Sequence, residues 1–289
     1  MSIGLHRSLL FLPASNPKAI AKARTLPADV VILDLEDAVA PDSKVEARAA
    51  AVAAISEGGF GTRKLVVRVN GLDTEWGRDD IAALVAGGVD TILAPKVNNA
   101  KDVTDYTQYL SESDVNLWIM IETPLSILKL DEIGALAAHG SLRAFVLGTN
   151  DLAKDLGARL DTARLPFLGF LSFAVAAARA YGLLVFDGVF NDIDDEEGLQ
   201  AQLDQTVSFG FDGKSLIHPR QIDPCNAAFA PDTAAIAWAN RVVAAFSEPE
   251  NKGKGAIRLD GKMVERLHLV QAEGILARAQ VSPDTAQIT

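Results

Sequence analysis

Eight short apolar runs, each followed by a helix-like segment, constrain the fold of this chain more than any other feature. They are SLLFLP (8–13), DVVILDLED (29–37), KLVVRVN (64–70), DTILAPK (90–96), NLWIMIET (116–123), RAFVLGT (143–149), GLLVFDGV (182–189) and GKSLIHP (213–219). The segments between them, such as PDSKVEARAAAVAAISE (41–57) and EEGLQAQLDQTVSFG (196–210), carry apolar residues at helical spacing. Near-continuous apolar strands imply burial on both faces, as in a parallel sheet. Eight strand–helix units in roughly 220 residues predict an α/β protein built as a closed (β/α)8 TIM barrel. A doubly wound open sheet is the competing fold, weakened because no glycine-rich dinucleotide or phosphate-loop fingerprint follows any strand. Pro17, Pro41 and Pro124 each stand just inside an expected helix start, where a missing N–H costs nothing.

Past the eighth run the pattern changes. PDTAAIAWANRVVAAFSE (231–248) reads as an amphipathic helix, ENKGKGAIRLDGK (250–262) as a glycine-rich stretch, and VERLHLVQAEGILARAQ (264–280) as a final helix before a frayed tail, VSPDTAQIT. The expected organisation is a catalytic barrel over 1–230 and a C-terminal helical extension over 231–289. The extension is too small to fold alone, so it should pack on its own barrel or on a neighbouring subunit.

Composition narrows the function. The 49% hydrophobic content supports a full core, yet no apolar run reaches the length of a membrane span. The opening MSIGLHRSLLFLP is too short in apolar length for a secretory signal. A formal net charge of -11 argues against nucleic acid as a partner, because phosphate binding needs a basic surface. Cys225, the single cysteine, excludes an intrachain disulfide and a thiolate metal cluster, and reads as a small buried residue. A cytoplasmic enzyme fits these facts.

The chemistry is carried by charges that terminate strands, since parallel α/β sheets build their sites at strand C-terminal ends. Glu122 and Asp151 lie one strand–helix unit apart. Two carboxylates without a neighbouring His or Cys suit a hard cation held by oxygen; alternatively each is an acid in the first turn of a helix. Arg68 alternates with Val67 and Val69 and needs an anionic partner if buried. It can pair with Glu36 or Asp37, or clamp a substrate carboxylate. Glu36 and Asp37 point to opposite sides of their strand and either order waters at the site or form surface ion pairs. Gly148 permits close backbone approach, so the N–H groups of Thr149 and Asn150 are candidates for binding a carboxylate. His218 before Pro219 reads as a hydrogen-bonded structural residue, with acid/base work as the alternative. Lys96 either attracts an anion or lies along the rim.

The segments RSLLFLPASNP, ADVVILDLEDAVAPDSKVEAR, VVRVNG, LAPKV, IETP, LGTNDLA, FDGKSLIHPRQI and DGKMVE together resemble the citrate lyase β-subunit-like family of CoA-ester lyases. The resemblance implies a Mg2+-dependent relative of the 2-keto acid aldolases, with Mn2+ as the alternative ion, acting on malyl-CoA, its methyl homologues or citramalyl-CoA. The products implied are acetyl- or propionyl-CoA and a 2-oxo acid. By position, Glu122 and Asp151 correspond to the metal ligands, Arg68 to the residue that clamps the substrate oxyanion, and Arg7 and Lys18 to residues that meet CoA phosphates. The family assembles as a homo-oligomer, a trimer or hexamer, whose extension often covers a neighbouring subunit's site.

Two departures stand out. Ala14 and Asn150 occupy positions where many members carry Gly and an acid. In the extension, Glu265 stands where many lyases place an aspartate that exchanges protons with the acetyl group; the added methylene moves that carboxylate by about an ångström. The patterns TEWGR, LGTNDLAK and VERLH are also similar to a branch that includes a malyl-CoA thioesterase, so thioester hydrolysis is an alternative to carbon–carbon cleavage. A third expectation is a β subunit active only inside a citrate lyase complex.

Overall fold

A computed structural model describes residues 6–138 and 140–281. These residues fall into two compact units, one ending at Ala228 and one beginning at Phe229.

The first unit is a closed barrel of eight parallel strands in sequential order: β1 (Ser8–Pro13), β2 (Val30–Asp34), β3 (Lys64–Arg68), β4 (Thr91–Ala94), β5 (Asn116–Ile121), β6 (Leu142–Leu147), β7 (Leu184–Asp187) and β8 (Gly213–Leu216). β8 closes on β1 through Ser8 opposite Lys214. Each apolar run of the sequence supplies one strand; β1 takes the whole of its run, and in the other seven the last residues leave the strand to form the rim. The barrel is a packed core filled by inward-facing Leu9, Val30, Ile32, Val66, Leu93, Trp118, Met120, Ala144, Val146 and Phe186. The alternate residues face the helical layer, which is why both parities of most strands are apolar; β8 differs, with Lys214 and Ser215 buried in it.

This parity decides what reaches the site. Asp34 and Glu36 continue the inward series of Val30 and Ile32, Arg68 continues that of Val66, and Glu122 that of Trp118 and Met120. Register aligns them, with Arg68 opposite Asp34 and Ile121 opposite Leu147. The prolines act as expected: Pro17, Pro41 and Pro124 open helical turns. Thr123 caps the helix Pro124–Leu128 in a reciprocal box with Ser126, which pins the chain one residue past Glu122.

The second unit comprises the helix Thr233–Ser247, a hairpin of β9 (Ala256–Leu259) and β10 (Lys262–Glu265), and the helix Arg266–Val281. Its core is Ala239, Val242, Phe246, Ile257, Val264 and Ala272. The hairpin corrects the sequence reading, which has an irregular stretch there and starts the last helix at 264. Asp260 and Gly261 both adopt positive φ, 51° and 78°, the signature of a two-residue turn that joins antiparallel strands. Glu265 therefore ends a strand. The expected frayed tail falls, apart from its first residue, outside the described residues. No helix among the described residues is long and apolar enough to cross a membrane.

Candidate active site

A cavity of about 440 Å³ opens at the C-terminal ends of the strands, lined among others by Phe11, Asp34, Asp37, Arg68, Met120, Glu122, Gly148, Thr149, Asn150, Asp151 and Ser215. β1, β2, β3, β5, β6 and β8, or the loops that follow them, and the loop after β7 all contribute, as expected where a barrel gathers side chains from many strands.

Arg68 is the hub. Its Nε and Nη2 donate to the two carboxylate oxygens of Asp34 at 2.7 and 2.6 Å. Its Nη1 lies 2.9 Å from Glu36 Oε2 and 3.8 Å from Asp37. The Glu36 contact is an ion pair without hydrogen-bond alignment, since that oxygen is buried without a hydrogen-bond partner. The guanidinium also stacks over Phe11, 5.4 Å from the ring centre. Burial alone would favour neutral arginine, but Asp34, Glu36 and Glu122 outweigh it and hold Arg68 as a permanent cation. Asp34 responds in the opposite sense: burial pushes its carboxyl up, while Arg68 and the N–H groups of Glu36 and Ala38 bring it below the usual range. The sequence reading offers Glu36 or Asp37 as the partner of Arg68. Glu36 is one; the principal partner, Asp34, is absent from that reading, although its parity with Val30 and Ile32 marks it as inward.

Glu122 is fully buried at the end of β5. Its Oε1 accepts the Lys96 N–H at 2.7 Å, and its Oε2 is buried with no hydrogen-bond partner. Burial pushes its carboxyl up to about 7, against the pull of Arg68 and of the Lys96 N–H. Glu122 caps no helix. Asp151 sits in the first turn of the helix Thr149–Leu156, as the helix-acid reading has it, and also lines the cavity. Gly148 is required for a reason the sequence does not give: a Cβ there would come within 2.4 Å of both Glu122 Cβ and Oε2. The first-turn N–H groups of Thr149 and Asn150 have no intrahelical acceptor, and Asn150 exchanges two amide hydrogen bonds with Asn191 at 3.1 and 2.7 Å. Among the described residues no group of three His, Cys, Asp or Glu side chains is placed to hold a metal ion by itself. Glu122 and Asp151 both line the cavity, and the unclaimed Glu122 oxygen suits a hard cation that takes its remaining ligands from water or substrate.

Glu36 is gripped from three sides. Arg68 holds one oxygen, Lys96 Nζ the other, and the buried ammonium of Lys44 donates to the carbonyls of Leu35 and Glu36 at 2.7 and 2.6 Å. Burial leaves the Glu36 carboxyl above its ordinary value despite Arg68 and Lys96, with Asp37 adding to the rise. Asp37 lies on the cavity with about half of its side chain exposed. His218 takes the structural reading: its Nδ1 accepts the Arg220 N–H at 3.2 Å.

One expectation is overturned. Arg7 precedes β1, so it lies at the opposite, N-terminal rim. There it is buried, its Nε and Nη2 donating to Asp29 at 2.9 and 3.0 Å. An arginine committed in this way at the far end cannot meet a CoA phosphate at the cavity. Lys18 stays on the correct side, exposed in the first turn of the helix after β1, but it does not line the cavity. Glu265, the last residue of β10, is half-buried, and its N–H donates to His268 Nδ1 at 2.9 Å.

The family model described as HpcH/HpaI aldolase/citrate lyase matches residues 7–219. A (3S)-malyl-CoA thioesterase of Cereibacter sphaeroides (strain ATCC 17025 / ATH 2.4.3) is 47% identical over 274 residues, 95% of this chain and 94% of the relative. A citrate lyase subunit beta of Escherichia coli (strain K12) is 36% identical across 96% of this chain and 94% of that one. Among solved structures, the protein CitE from Mycobacterium tuberculosis in complex with magnesium, acetoacetate and coenzyme A aligns with a TM-score of 0.76 at 34% identity, covering 97% of this chain and 100% of that one. With matches of this extent, the chain belongs to the HpcH/HpaI aldolase/citrate lyase family and is one of its enzymes.

Proposed function

We propose that this enzyme acts on a short 3-hydroxyacyl-CoA of the malyl-CoA type, at a Mg2+ or Mn2+ site provided by Glu122 and Asp151. The observation that carries the reading is the buried, unpartnered Oε2 of Glu122 beside the Arg68 guanidinium. An anionic wall that also holds a fixed cation suits a metal together with a carboxylate-bearing substrate. The magnesium complex of the M. tuberculosis protein supports the choice of ion. When bound, the cation would act as a Lewis acid toward the oxygens of the substrate's acid end.

The reaction proposed is carbon–carbon cleavage. The substrate hydroxyl loses its proton, the C2–C3 bond breaks, and the electron pair passes into the thioester enolate, which is protonated on carbon to give acetyl- or propionyl-CoA. The former hydroxyl oxygen becomes the carbonyl of the 2-oxo acid. Arg68, held in orientation by Asp34 and Glu36, stabilises charge on that oxygen. Asp37 is the exposed acid on the same wall, and the Thr149 and Asn150 N–H groups, brought close by Gly148, hold the substrate carboxylate. Lys18 attracts the CoA phosphates. Glu265, from a neighbouring subunit of a homotrimer or hexamer, exchanges the proton at the enolate carbon.

Thioester hydrolysis is the second reading, favoured by the 47%-identical thioesterase relatives. In it the same wall binds the 2-hydroxy acid end and water attacks the thioester. A product-resolved assay of the purified protein on malyl-CoA and its methyl homologues separates the two. Mg2+-dependent formation of glyoxylate with acetyl- or propionyl-CoA supports cleavage, and free thiol without glyoxylate supports hydrolysis. No turnover of free CoA esters would leave the complex-bound citrate lyase subunit as the reading to pursue.

A further inference from the structure

Lys96 is one of three non-glycine residues with positive φ among the described residues, at 51°, and it directly follows Pro95 beyond the end of β4. A residue with a Cβ occupies this left-handed region at a cost and remains there only where its surroundings over-determine it. Around Lys96 the determinants are visible. Its ammonium is held by Glu36, with Asp37 at 3.5 Å. Its carbonyl accepts Asn98 Nδ2 at 3.0 Å. Asn98 is fixed in turn by Asp102, which accepts its N–H at 2.7 Å, and by Thr123, whose Oγ1 donates to Asn98 Oδ1 at 2.8 Å. Thr123 is the neighbour of Glu122, so the turn is tied to the acid that it serves. The product of this strained geometry is one hydrogen bond, Lys96 N–H to Glu122 Oε1 at 2.7 Å.

We propose that Lys96 is a positioning residue for the cation site: its left-handed turn claims one oxygen of Glu122 and so leaves the other, Oε2, as the ligand. The side chain serves the same end indirectly, because its ion pair with Glu36 is one of the anchors that keep the backbone left-handed. The residue thus joins two ends of a charge-alternating chain, Asp34, Arg68, Glu36, Lys96 and Glu122, which spans β2 to β5. A lysine whose work lay only in its charge would need no unusual backbone.

This inference rests on the reading of Glu122 as a cation ligand. It is tested by calorimetric titration of the metal-free protein with Mg2+, using wild type, Glu122→Gln, Lys96→Ala and Lys96→Gly, with thermal unfolding of each. Alanine removes an anchor and keeps the steric cost of the turn, whereas glycine removes both together. Lys96→Ala is expected to weaken Mg2+ binding about tenfold, in the range found when partners of metal ligands are removed, and Lys96→Gly to recover most of that loss. Both variants lack the ammonium, so a role confined to charge or to general stability predicts equal losses. Lys96→Asn, another residue that tolerates positive φ, repeats the rescue if the glycine variant folds poorly. Ala binding as tightly as wild type, or Gly and Asn no better than Ala, overturns the proposal while leaving the metal reading intact. A wild type without Glu122-dependent Mg2+ binding sinks both.

Discussion

Glu122 shows how a single side chain can be costly to the fold and useful to the site. Its folded carboxyl titrates near 7 because burial disfavours the charged form. The sign of the linkage follows. A carboxyl raised above its ordinary value of 4.5 is at a disadvantage when ionised, so the metal-free protein loses stability as pH climbs from 4.5 to about 7 and does not regain it above. Glu122→Gln removes that charge. The metal-free variant should melt a few degrees higher than wild type at pH 8, corresponding to about 1–3 kcal/mol, and the two should converge at pH 4.5. Under the proposed function the same variant loses Mg2+ binding. Thermal unfolding at the two pH values checks the first expectation, and a variant that is less stable than wild type at pH 8 refutes it. At this scale the sequence was half legible. The charges at strand ends stand out because they interrupt apolar runs. Which charge meets which does not: Asp34 is one acid among three in DLED, and nothing local to that segment shows that it, not Glu36 or Asp37, takes the Nε and Nη2 donors of Arg68. Arg7 is placed with the CoA-phosphate residues by resemblance alone, and the resemblance does not show that it precedes β1, a whole strand away from the cavity rim.

Elements were more legible than their contacts. Most of the barrel strands follow from local composition, since a strand buried on both faces is largely apolar; β8, with Lys214 and Ser215 buried, is the least apolar of them. The hairpin β9–β10 was hidden by its glycines and lysines, even though Asp260-Gly261 is a recognisable turn. Least legible was the joint between β7, β8 and the helix Glu196–Phe209. There Asp187, facing outward from β7, accepts Arg164 at 2.7 Å, Lys214 at 2.9 Å and Thr206 at 2.5 Å, all buried. Such a network requires four residues from separate segments, and no periodicity announces it. Burial would raise the Asp187 carboxyl, but Lys214 and Arg164 hold it well below the usual carboxylate range. Its contribution is therefore complete above the ordinary value of 3.8 and declines as pH falls below it. Asp187→Asn leaves two buried cations unmatched and should cost about 3–5 kcal/mol at pH 7, a drop on the order of 10 °C. The deficit should shrink below pH 4 as wild type loses the same charge. A deficit that is independent of pH would mean that packing, not the ion network, holds this joint.

At the scale of the whole molecule, the second unit carries an apolar surface that its own core does not use. The helix Arg266–Val281 turns Ala272, with Leu269, Ile275 and Leu276, toward the core of the unit. Leu267 and Val270, one turn apart on another face, are 52% and 67% exposed, and Met263 on β10 is 71% exposed. Three large apolar residues grouped around Glu265 are poor choices for a face that remains in water. Under the proposed oligomer they are the face that meets a neighbouring subunit, and Glu265 travels with them. Val270→Glu and Met263→Glu place charge on that face and change no residue of the barrel. Each should lower the oligomeric state in analytical ultracentrifugation while leaving circular dichroism and Mg2+ binding at Glu122 unchanged. Turnover should fall with the oligomer, because a separated barrel would lack the Glu265 carboxylate of its neighbour. Glu265→Gln should reduce turnover without changing the oligomer. Mixing inactive Glu122→Gln protein with inactive Glu265→Gln protein then becomes decisive. The Glu265→Gln subunits still carry an intact barrel site, and the Glu122→Gln subunits still present Glu265 on an intact apolar face, so activity recovered on mixing requires the carboxylate to act across the interface. If Val270→Glu and Met263→Glu leave the assembly intact, the exposed face does not hold the subunits together, and the place of Glu265 must be sought within its own chain.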